Sequence, residues 1–362
     1  MKYSIFYNFF PVPKIIDMEG VGVDITDNAV RFMRLVPHEG GFIPKEFGEY
    51  PLPTGAFSQG KILNAGPIQE VLSKIKKEYG VKFAHTSLPE TQTYLVEMSI
   101  ASVKKSELRE SIELQIEEYI PLKVTEAVFD YHVLDSSKKE QGKTTVVVSV
   151  APRDVVNSYM ELFNSAEIPL FSLETEAQAI ARVVVSKLEP ETVMVVHLGI
   201  SKTGVFIVQQ GLVRLVSDIE IGRNDVVSAL EKGLNISKEQ VIQLMSDKFV
   251  SKEIHQEKIL EILSPIFAEL SDEAGKHLLY WQSRKEKSPT TKEKVHKIVI
   301  TGPGADVLGL AGYLSTNLRL QTELADVWQN VISFEHYIPQ ISFEDSLKYT
   351  TAIGLAMSFK DR

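Results

Sequence analysis

Residues 22–35, GVDITDNAVRFMRL, contain an apolar strand, a short polar turn and a second apolar strand. Val23 and Ile25 alternate with smaller or polar residues before the turn at residues 26–28, and hydrophobic residues resume directly after it. Alternation of this kind predicts β-strands, and Thr, Asp and Asn are residues that form tight turns. We therefore predict a β-hairpin at this position.

The same arrangement returns later in the chain. Residues 192–198 are β-branched and nearly all apolar, and a polar turn at residues 199–204 leads into a second strand pattern at residues 205–209. A Gln-Gly turn and a third strand pattern at residues 212–216 follow. Recurrence of one strand–turn–strand unit within a chain indicates a duplicated domain. The sequence therefore predicts an α/β protein with two related lobes.

Residues 101–165 differ from the sequence on either side. Hydrophobic residues recur at helical spacing over residues 107–120, two strand patterns follow, and Pro152 suits the first position of another helix. This order predicts a small α+β unit inserted into the first lobe. Residues 39–60 are rich in Gly and Pro and are predicted to be a loop.

These patterns give a domain organisation for the whole chain. We predict a first lobe at residues 1–190, with the inserted unit at about 101–165. A second lobe is predicted at residues 191–362, with a mostly helical subdomain at about 224–297. The aromatic segment at residues 1–12 is interpreted as an extension packed on the body, or alternatively as an arm that docks on a partner or a membrane surface.

Composition excludes several function classes. The 362 residues carry a formal net charge of -9, which argues against a broad phosphate-binding face and against nucleic acid as the main partner. Cysteine is absent, which excludes disulfides and the usual zinc sites. No apolar run approaches the roughly 18 residues that a membrane-spanning helix needs. We therefore expect a protein without a membrane span of its own, and the lack of cysteine fits a reducing compartment.

Three glycine-centred loops, at residues 22–28, 199–204 and 301–305, resemble the phosphate and adenosine loops of the actin and sugar-kinase superfamily. Longer stretches are similar to one branch of it, the PilM family of type IV pilus assembly proteins, itself similar to the cell-division protein FtsA. The stretches that carry this similarity are ELRESIELQIEEYIPL (107–122), FDYHVLD (129–135), residues 146–183 and YTTAIGLAM (349–357). The resemblance implies an actin-like (ribonuclease H-like) duplicated two-lobe fold with an inserted small α+β subdomain.

The resemblance also implies ATP and Mg²⁺ as cofactors in a cleft between the lobes. Asp24 is the carboxylate expected to hold a hydrated magnesium ion. Backbone N–H groups and small hydroxyl side chains in the turns would hold the phosphates, and an acid and a base would hold the ribose. The residues implied for the cofactor are Gly22, Asp24, Thr26, Asn28, Gly199, Ser201, Lys202, Thr203, Gly222, Glu273, Lys276, Gly302 and Gly304.

Four residues depart from the family pattern at these loops. Asp27 puts a negative charge where a phosphate would lie, and His197 replaces an aspartate with a poor ligand for magnesium. Arg223 replaces a glycine and would narrow the cleft or contact phosphate, and Pro303 removes an N–H. More ordinary interpretations also stay open: a hairpin turn at Asp27, and a core histidine at position 197. For Glu273 and Lys276 the ordinary interpretation is a surface salt bridge.

Function is predicted from the resemblance together with these departures. We expect an actin-like adaptor of a type IV pilus or related secretion machine, peripheral to the inner membrane through a partner. The implied partner is the cytoplasmic tail of a PilN-like inner-membrane protein, with cytoplasmic pilus motor ATPases as further partners. The tail would lie in a groove between the first lobe and the inserted unit, near residues 107–120 and 127–134.

Two alternatives of the same fold stay open, a small-molecule kinase and an FtsA-type filament-forming protein. A kinase needs an aspartate base in the cleft and a sugar pocket, and neither is recognisable in the sequence. A filament tether would need an amphipathic C-terminal helix, which the last residues do not resemble. No residue is recognisable for placing a hydrolytic water either, so we expect at most a weak ATPase.

Overall fold

The computed structural model describes residues 20–101, 103–134, 143–186, 188–246, 253–284 and 294–358. The aromatic segment 1–12 and most of the charged stretch before residue 297 lie outside these ranges.

The strands and helices of the described ranges are numbered in chain order. The strands are β1 (Val21–Ile25), β2 (Ala29–His38), β3 (Gly41–Pro51), β4 (Phe57–Ser58), β5 (Lys61–Ile62), β6 (Ala84–Leu88), β7 (Tyr94–Ala101), β8 (Ala127–Val133), β9 (Lys143–Pro152), β10 (Leu170–Thr175), β11 (Thr192–Leu198), β12 (Thr203–Gln209), β13 (Leu212–Ile219), β14 (Val295–Thr301) and β15 (Gln321–Leu324). The helices are α1 (Ala65–Tyr79), α2 (Leu108–Glu113), α3 (Arg153–Ser165), α4 (Glu176–Val184), α5 (Arg223–Leu234), α6 (Lys238–Ser246), α7 (Glu253–Arg284), α8 (Leu310–Leu318), α9 (Phe343–Leu347) and α10 (Thr350–Ala356).

The first sheet has the strand order β10-β6-β1-β2-β3. Strands β1 and β2 form the predicted antiparallel hairpin, with Val23 opposite Phe32, and β1 runs parallel to β6 on its other side. The prediction of a loop at residues 39–60 is wrong, because β3 pairs antiparallel with β2 along its length. Pro44 lies where the register shifts, on an outer strand that can accommodate a proline and a bulge.

The second sheet repeats this order as β15-β14-β11-β12-β13. Strands β11 and β12 are antiparallel, and β11 runs parallel to β14, as β1 does to β6. Each strand of the second sheet thus has a counterpart at the same place in the first. This equivalence confirms the duplicated α/β architecture that the two hairpin patterns predicted.

Helices α4 and α10 connect the two lobes. Helix α10 packs against α4 and against strands β1 and β2. A single cluster of buried side chains contains residues of β2, both helices and the whole second sheet. The lobes therefore share one continuous core at their junction, and the cleft opens at the ends of β1 and β11.

The small sheet has the order β7-β9-β8 and is antiparallel throughout. Its members run from Tyr94 to Pro152, which differs from the predicted unit at about 101–165 at both ends. Strand β7 precedes the predicted start of the unit. Helix α3 does not belong to this unit, because its residues Tyr159, Leu162 and Phe163 are buried in the core of the first lobe with side chains of α1.

The helix predicted at residues 107–120 is divided. Helix α2 ends at Glu113, and a 3-10 turn, Ile116–Glu118, follows it. The hydrophobic residues that suggested one long helix are nevertheless buried together under one face of the small sheet: Leu108, Ile112, Ile116 and Ile120.

Candidate functional site

Two adjoining cavities occupy the cleft between the lobes. The inner cavity, of about 120 Å³, lies between the turns that follow β1 and β11 and contains the ends of both strands. The outer cavity, of about 770 Å³, extends between α5, α7 and the loop after β14. The three predicted glycine loops therefore do converge on one cleft.

Asp24 lies at the inner cavity, where β1 ends. It is only 4% exposed and faces Arg31 across the hairpin, with Oδ2 at 4.0 Å from Nη1 of that arginine. Arg31 also binds Glu49, with Nη2 and Oε1 2.9 Å apart. Burial raises the pKa of Asp24 to about 6, and the arginine only partly offsets this effect.

Three further carboxylates line the inner cavity, and the sequence patterns did not identify them as site residues: Glu90, Glu176 and Asp218. Burial raises the pKa of Glu90 to about 7, although Oε1 accepts a hydrogen bond from the Ala177 backbone N–H at 2.8 Å. Burial also raises the pKa of Glu176 well above its usual range, and the nearby Asp24 and Glu90 charges add to the rise. One sequence feature could have identified Glu176 as a site residue: it is an acid at the start of an alanine-rich apolar helix.

His197 also lines the inner cavity. Burial lowers its pKa to about 4, with a smaller contribution from the Arg31 charge, so the imidazole is neutral at physiological pH. Its Nδ1 is buried without a hydrogen-bond partner, and Nε2 lies 3.9 Å from Glu176 Oε1. A neutral imidazole in this place offers no hard oxygen ligand for magnesium.

Asp27 joins the two lobes. Ser201 Oγ, in the second lobe, donates a hydrogen bond to Asp27 Oδ2 at 2.8 Å. The backbone N–H of Gln59, in the first lobe, donates to Asp27 Oδ1 at 3.2 Å. Both oxygens of the Asp27 carboxylate are thus engaged at the point where the two predicted phosphate turns meet.

Lys202, which was predicted to bind phosphate, is paired with acids of its own lobe. Its Nζ lies 2.6 Å from Glu220 Oε1 and 4.0 Å from Asp218 Oδ2. Thr203 points away from the cleft, since it is fully buried and its Oγ1 donates to the Ile221 carbonyl at 2.6 Å. Of the two predicted hydroxyl residues of this turn, only Ser201 faces the cavity.

The predicted glycines are explained by contacts within the protein. A Cβ at Gly22 would lie 2.1 Å from the Ala352 carbonyl oxygen of α10, and one at Gly199 would lie 2.7 Å from the Lys202 carbonyl oxygen. A Cβ at Gly222 would meet the Ile200 carbonyl oxygen at 2.5 Å. Close backbone approach alone therefore requires glycine at these positions, whether or not a nucleotide binds.

The loop after β14 also packs on the protein itself. Gly302 has φ +99°, which favours glycine, and Gly304 approaches the Leu198 side chain so closely that a Cβ would lie 2.7 Å from it. Pro303, between them, lines both cavities.

Glu273 and Lys276 do not reach the cleft. They bind each other, with Nζ and Oε1 2.6 Å apart, on a part of α7 that lines neither cavity. The structure therefore contains a surface salt bridge, not a ribose contact, at these two α7 residues.

Two predicted residues of the first turn do lie at the cleft. Thr26 lines the inner cavity, and Asn28 lines the outer cavity.

The outer cavity has the size and lining that suit a nucleoside. Leu230, Ile259 and Leu263 supply apolar walls, and Gln256 and Arg223 supply polar groups. Arg223 lines this cavity, and its Nε is buried without a hydrogen-bond partner. A planar base and a sugar can satisfy such a mixed lining.

The inner cavity, in contrast, does not suit the phosphates of a nucleotide. Five carboxylates line it, those of Asp24, Asp27, Glu90, Glu176 and Asp218. Its cations Arg31, Lys202 and Lys348 are each paired with protein acids. Within the described ranges, no group of three or more His, Asp or Glu side chains is arranged to hold a metal ion. The residues therefore fit the nucleoside part of a nucleotide better than its phosphates.

A third cavity, of about 640 Å³, forms a groove between the small sheet and the first lobe. One face of the small sheet forms its floor, through Leu95, Val128, Val147 and other residues. The wall opposite consists of β10 and α4, and the β12–β13 turn closes one end. The strand predicted at residues 127–134 lines this groove, but the predicted helical segment 107–120 lies under the other face of the small sheet.

No described helix is both long enough and apolar enough to cross a membrane. The chain is similar in structure to the PilM-PilN type IV pilus biogenesis complex, with a TM-score of 0.75 and 18% identity over 94% of this chain and 98% of that one. It is also similar to the ethanolamine utilization protein EutJ from Carboxydothermus hydrogenoformans (TM-score 0.53, 14% identity, 93% and 89% of the two chains). A third match is the MreB 5 protein of Spiroplasma citri bound to AMPPNP (TM-score 0.53, 12% identity, 94% and 96%).

These structural likenesses establish the actin-like fold. The family model described as type IV pilus assembly protein PilM matches residues 22–360, nearly the whole chain and all three glycine loops. This protein therefore belongs to the PilM family of type IV pilus assembly proteins.

Proposed function

We propose that this protein is a cytoplasmic adaptor of a type IV pilus or related secretion machine, which binds the cytoplasmic tail of a PilN-like inner-membrane protein. The groove between the small sheet and the first lobe is the observation that carries this proposal. Attachment through such a tail would hold the protein at the inner membrane. Binding of cytoplasmic motor ATPases is a further proposal, for which no surface is assigned.

The lining of the groove suits a short apolar peptide. Its floor is an open sheet face with half-buried hydrophobic side chains, among them Leu95 and Val128. Strand β10 is the outermost strand of its sheet, and its consecutive residues 173–175 all line the groove. An outermost strand offers unpaired backbone groups that an extended peptide can use. Main-chain pairing with β10 and apolar contacts with the floor would then act together.

Peptide titration tests the proposal. A synthetic peptide with the sequence of the partner's cytoplasmic tail should bind the wild-type chain and shift the NMR resonances of β8, while those of α2 change little.

Leu95→Glu and Val128→Glu should each weaken peptide binding by about tenfold or more, because a charge would enter an apolar contact. Leu279→Glu is the matched control, since Leu279 is 66% exposed on α7 and does not line the groove. Equal loss in the control, or no shift at β8, would contradict the groove assignment.

A second candidate function is nucleoside binding in the outer cavity of the cleft. The size and mixed apolar and polar lining of that cavity favour it. Specific binding would stabilise the protein by about 2.7 kcal/mol at a hundredfold excess of ligand over Kd. Melting temperatures with adenosine, ADP and Mg-ATP measure this effect. No shift with any of the three would remove the candidate.

A further inference from the structure

We propose that Asp27 acts as a built-in substitute for a phosphate group, which latches the two lobes together and makes the inner cavity reject phosphorylated ligands. This proposal rests on the second candidate function in one respect, namely that the outer cavity binds a nucleoside. The latch itself is independent of that assumption and of the peptide groove.

The geometry around Asp27 is that of a bound anion. Its two oxygens accept hydrogen bonds from donors on opposite sides of the cleft, Ser201 Oγ and the Gln59 backbone N–H. Small hydroxyl groups and backbone N–H groups are the donors that phosphate oxygens use in proteins. The carboxylate therefore takes up donors that a phosphate in the same place would need.

The backbone of Gln59 is held in an unusual conformation for this contact. Its φ is +47°, a region that residues other than glycine rarely adopt. Its carbonyl oxygen is fixed by Thr91 Oγ1 at 2.9 Å and by Gln92 Nε2 at 3.1 Å, so the loop is anchored from both sides. A strained conformation maintained by several hydrogen bonds is typical of a position with a functional constraint.

The charges around the latch reinforce its effect. The Asp24, Glu90, Glu176 and Asp218 carboxylates line the same cavity. The second-lobe cations that line it, Lys202 and Lys348, are paired with Glu220 and Asp345. A triphosphate entering the cavity would therefore face like charges and no uncommitted cation among the lining side chains, which raises its free energy of binding.

Two consequences follow from a latch of this kind. Removing either partner of the Asp27–Ser201 hydrogen bond should let the lobes separate further. Removing the charge of Asp27 while keeping an acceptor should admit phosphate without opening the lobes. Ser201→Ala and Asp27→Ala test the first consequence, and Asp27→Asn tests the second, because the amide oxygen of Asn can still accept from Ser201 Oγ.

Binding of adenosine and Mg-ATP to the full-length chain gives the first readout. The wild-type protein should bind Mg-ATP no more tightly than adenosine. Asp27→Asn should raise the affinity for Mg-ATP by about tenfold or more and leave that for adenosine unchanged, because only the phosphates meet the removed charge. Asp272→Asn is the control, since Asp272 is an exposed acid that lines neither cavity.

The distance between the lobes gives the second readout. The chain contains no cysteine, so Glu70→Cys and Lys238→Cys, both at exposed positions in different lobes, can carry a single pair of spin labels. The measured distance distribution should broaden towards longer distances in Ser201→Ala and Asp27→Ala but not in Asp27→Asn or Asp272→Asn.

The outcomes separate the latch from the nucleoside assignment. Much tighter binding of Mg-ATP than of adenosine by the wild-type chain, or no gain in Asp27→Asn, overturns the rejection of phosphate. Unchanged distances in Ser201→Ala and Asp27→Ala overturn the latch. If no variant binds either ligand but the distances change as expected, the latch stands and the nucleoside assignment of the outer cavity fails.

Discussion

At the scale of single residues, the cleft combines features that the sequence patterns identified with others that they did not. Asp24 lies where the resemblance implied, at the end of β1 and buried against Arg31. Glu90 and Glu176 were not identified as site residues by any sequence pattern. They join Asp24 because β6 ends and α4 begins beside the same cavity. Burial raises the pKa values of all three carboxyl groups, and the charges of Asp24 and Glu90 raise that of Glu176 further.

The raised pKa of Glu90 predicts a pH dependence of stability. Since burial raises this pKa from 4.5 to about 7, the folded protein holds the proton more tightly than the unfolded chain. The associated stabilisation is complete below about pH 4.5 and is lost as the pH rises through 7. Glu90→Gln keeps an acceptor for the Ala177 N–H but cannot ionise. It should therefore stabilise the protein at pH 8, by up to about 3 kcal/mol, and have little effect at pH 4.5.

Urea denaturation of both proteins at pH 4.5 and pH 8 measures this difference. Glu70→Gln, a change at an exposed acid of α1, is the control and should alter neither value by more than about 0.5 kcal/mol. A destabilised Glu90→Gln at pH 8 would mean that the ionised carboxylate is favourable in the folded state, contrary to the prediction.

At the scale of secondary-structure elements, helix α10 determines how the lobes are joined. It is only seven residues long, fully buried, and packed against β1 on one side and α4 on the other. Glycines make both contacts close: Gly22 of β1 faces the α10 backbone, and Gly354 of α10 faces the carbonyl oxygen of Ala179. The resemblance implied a nucleotide contact at Gly22, whereas the structure places the backbone of α10 there.

Substitution of Gly354 tests the importance of this contact. A Cβ at Gly354 would lie 2.0 Å from the Ala179 carbonyl oxygen, so Gly354→Ala should force the helices apart and destabilise the protein. We expect a loss of about 1–3 kcal/mol, as for other overpacked core sites.

The matched control is Gly312→Ala, a change of the same type in helix α8. A Cβ there meets nothing within 4 Å, so the better helix propensity of alanine should stabilise the protein by up to about 1 kcal/mol. The two melting temperatures should move in opposite directions. A shared direction would show that helix propensity, not the close contact, controls position 354.

At the scale of the whole molecule, the small sheet is tied to the second lobe as well as to the first. Arg214 of β13 binds Glu97 of β7, with Nη2 and Oε2 2.6 Å apart, and Arg214 lies 6.0 Å from the centre of the Trp281 ring. Gln178 of α4 also contacts the β12–β13 turn, because its Nε2 donates to the Gly211 carbonyl at 3.0 Å. Three parts of the chain thus meet at the proposed peptide groove, and their relative positions determine its width.

A double-mutant cycle measures the interaction between Glu97 of β7 and Arg214 of β13. The Arg214 side chain is only 6% exposed, so Glu97→Gln should leave its charge poorly compensated and cost about 3 kcal/mol of stability. Adding Arg214→Met should recover most of this loss, because an apolar residue of similar length needs no partner in a buried site. Unfolding free energies of the four proteins give the coupling, and additive effects would contradict the inferred ion pair.

The sequence by itself determined the duplication, the hairpins and the family. Local alternation and turn residues are properties of neighbouring positions, and 22–35 and 192–209 carry them without help from the rest of the chain. Strand β3 could not be identified in this way, because its proline and glycines are tolerated only through pairing with β2 at an outer position.

Only the tertiary structure decided what surrounds each site residue. The Asp27–Ser201 hydrogen bond joins residues 174 positions apart, and the acids of the inner cavity come together from four separate segments. Thr203 and Lys276 were predicted to bind the cofactor because of their positions in the sequence. The Thr203 side chain points into the core, and Lys276 lies outside the cleft. Burial and charge environment depend on long-range packing, which local patterns do not encode, so the chemistry of the cleft had to be read from the fold.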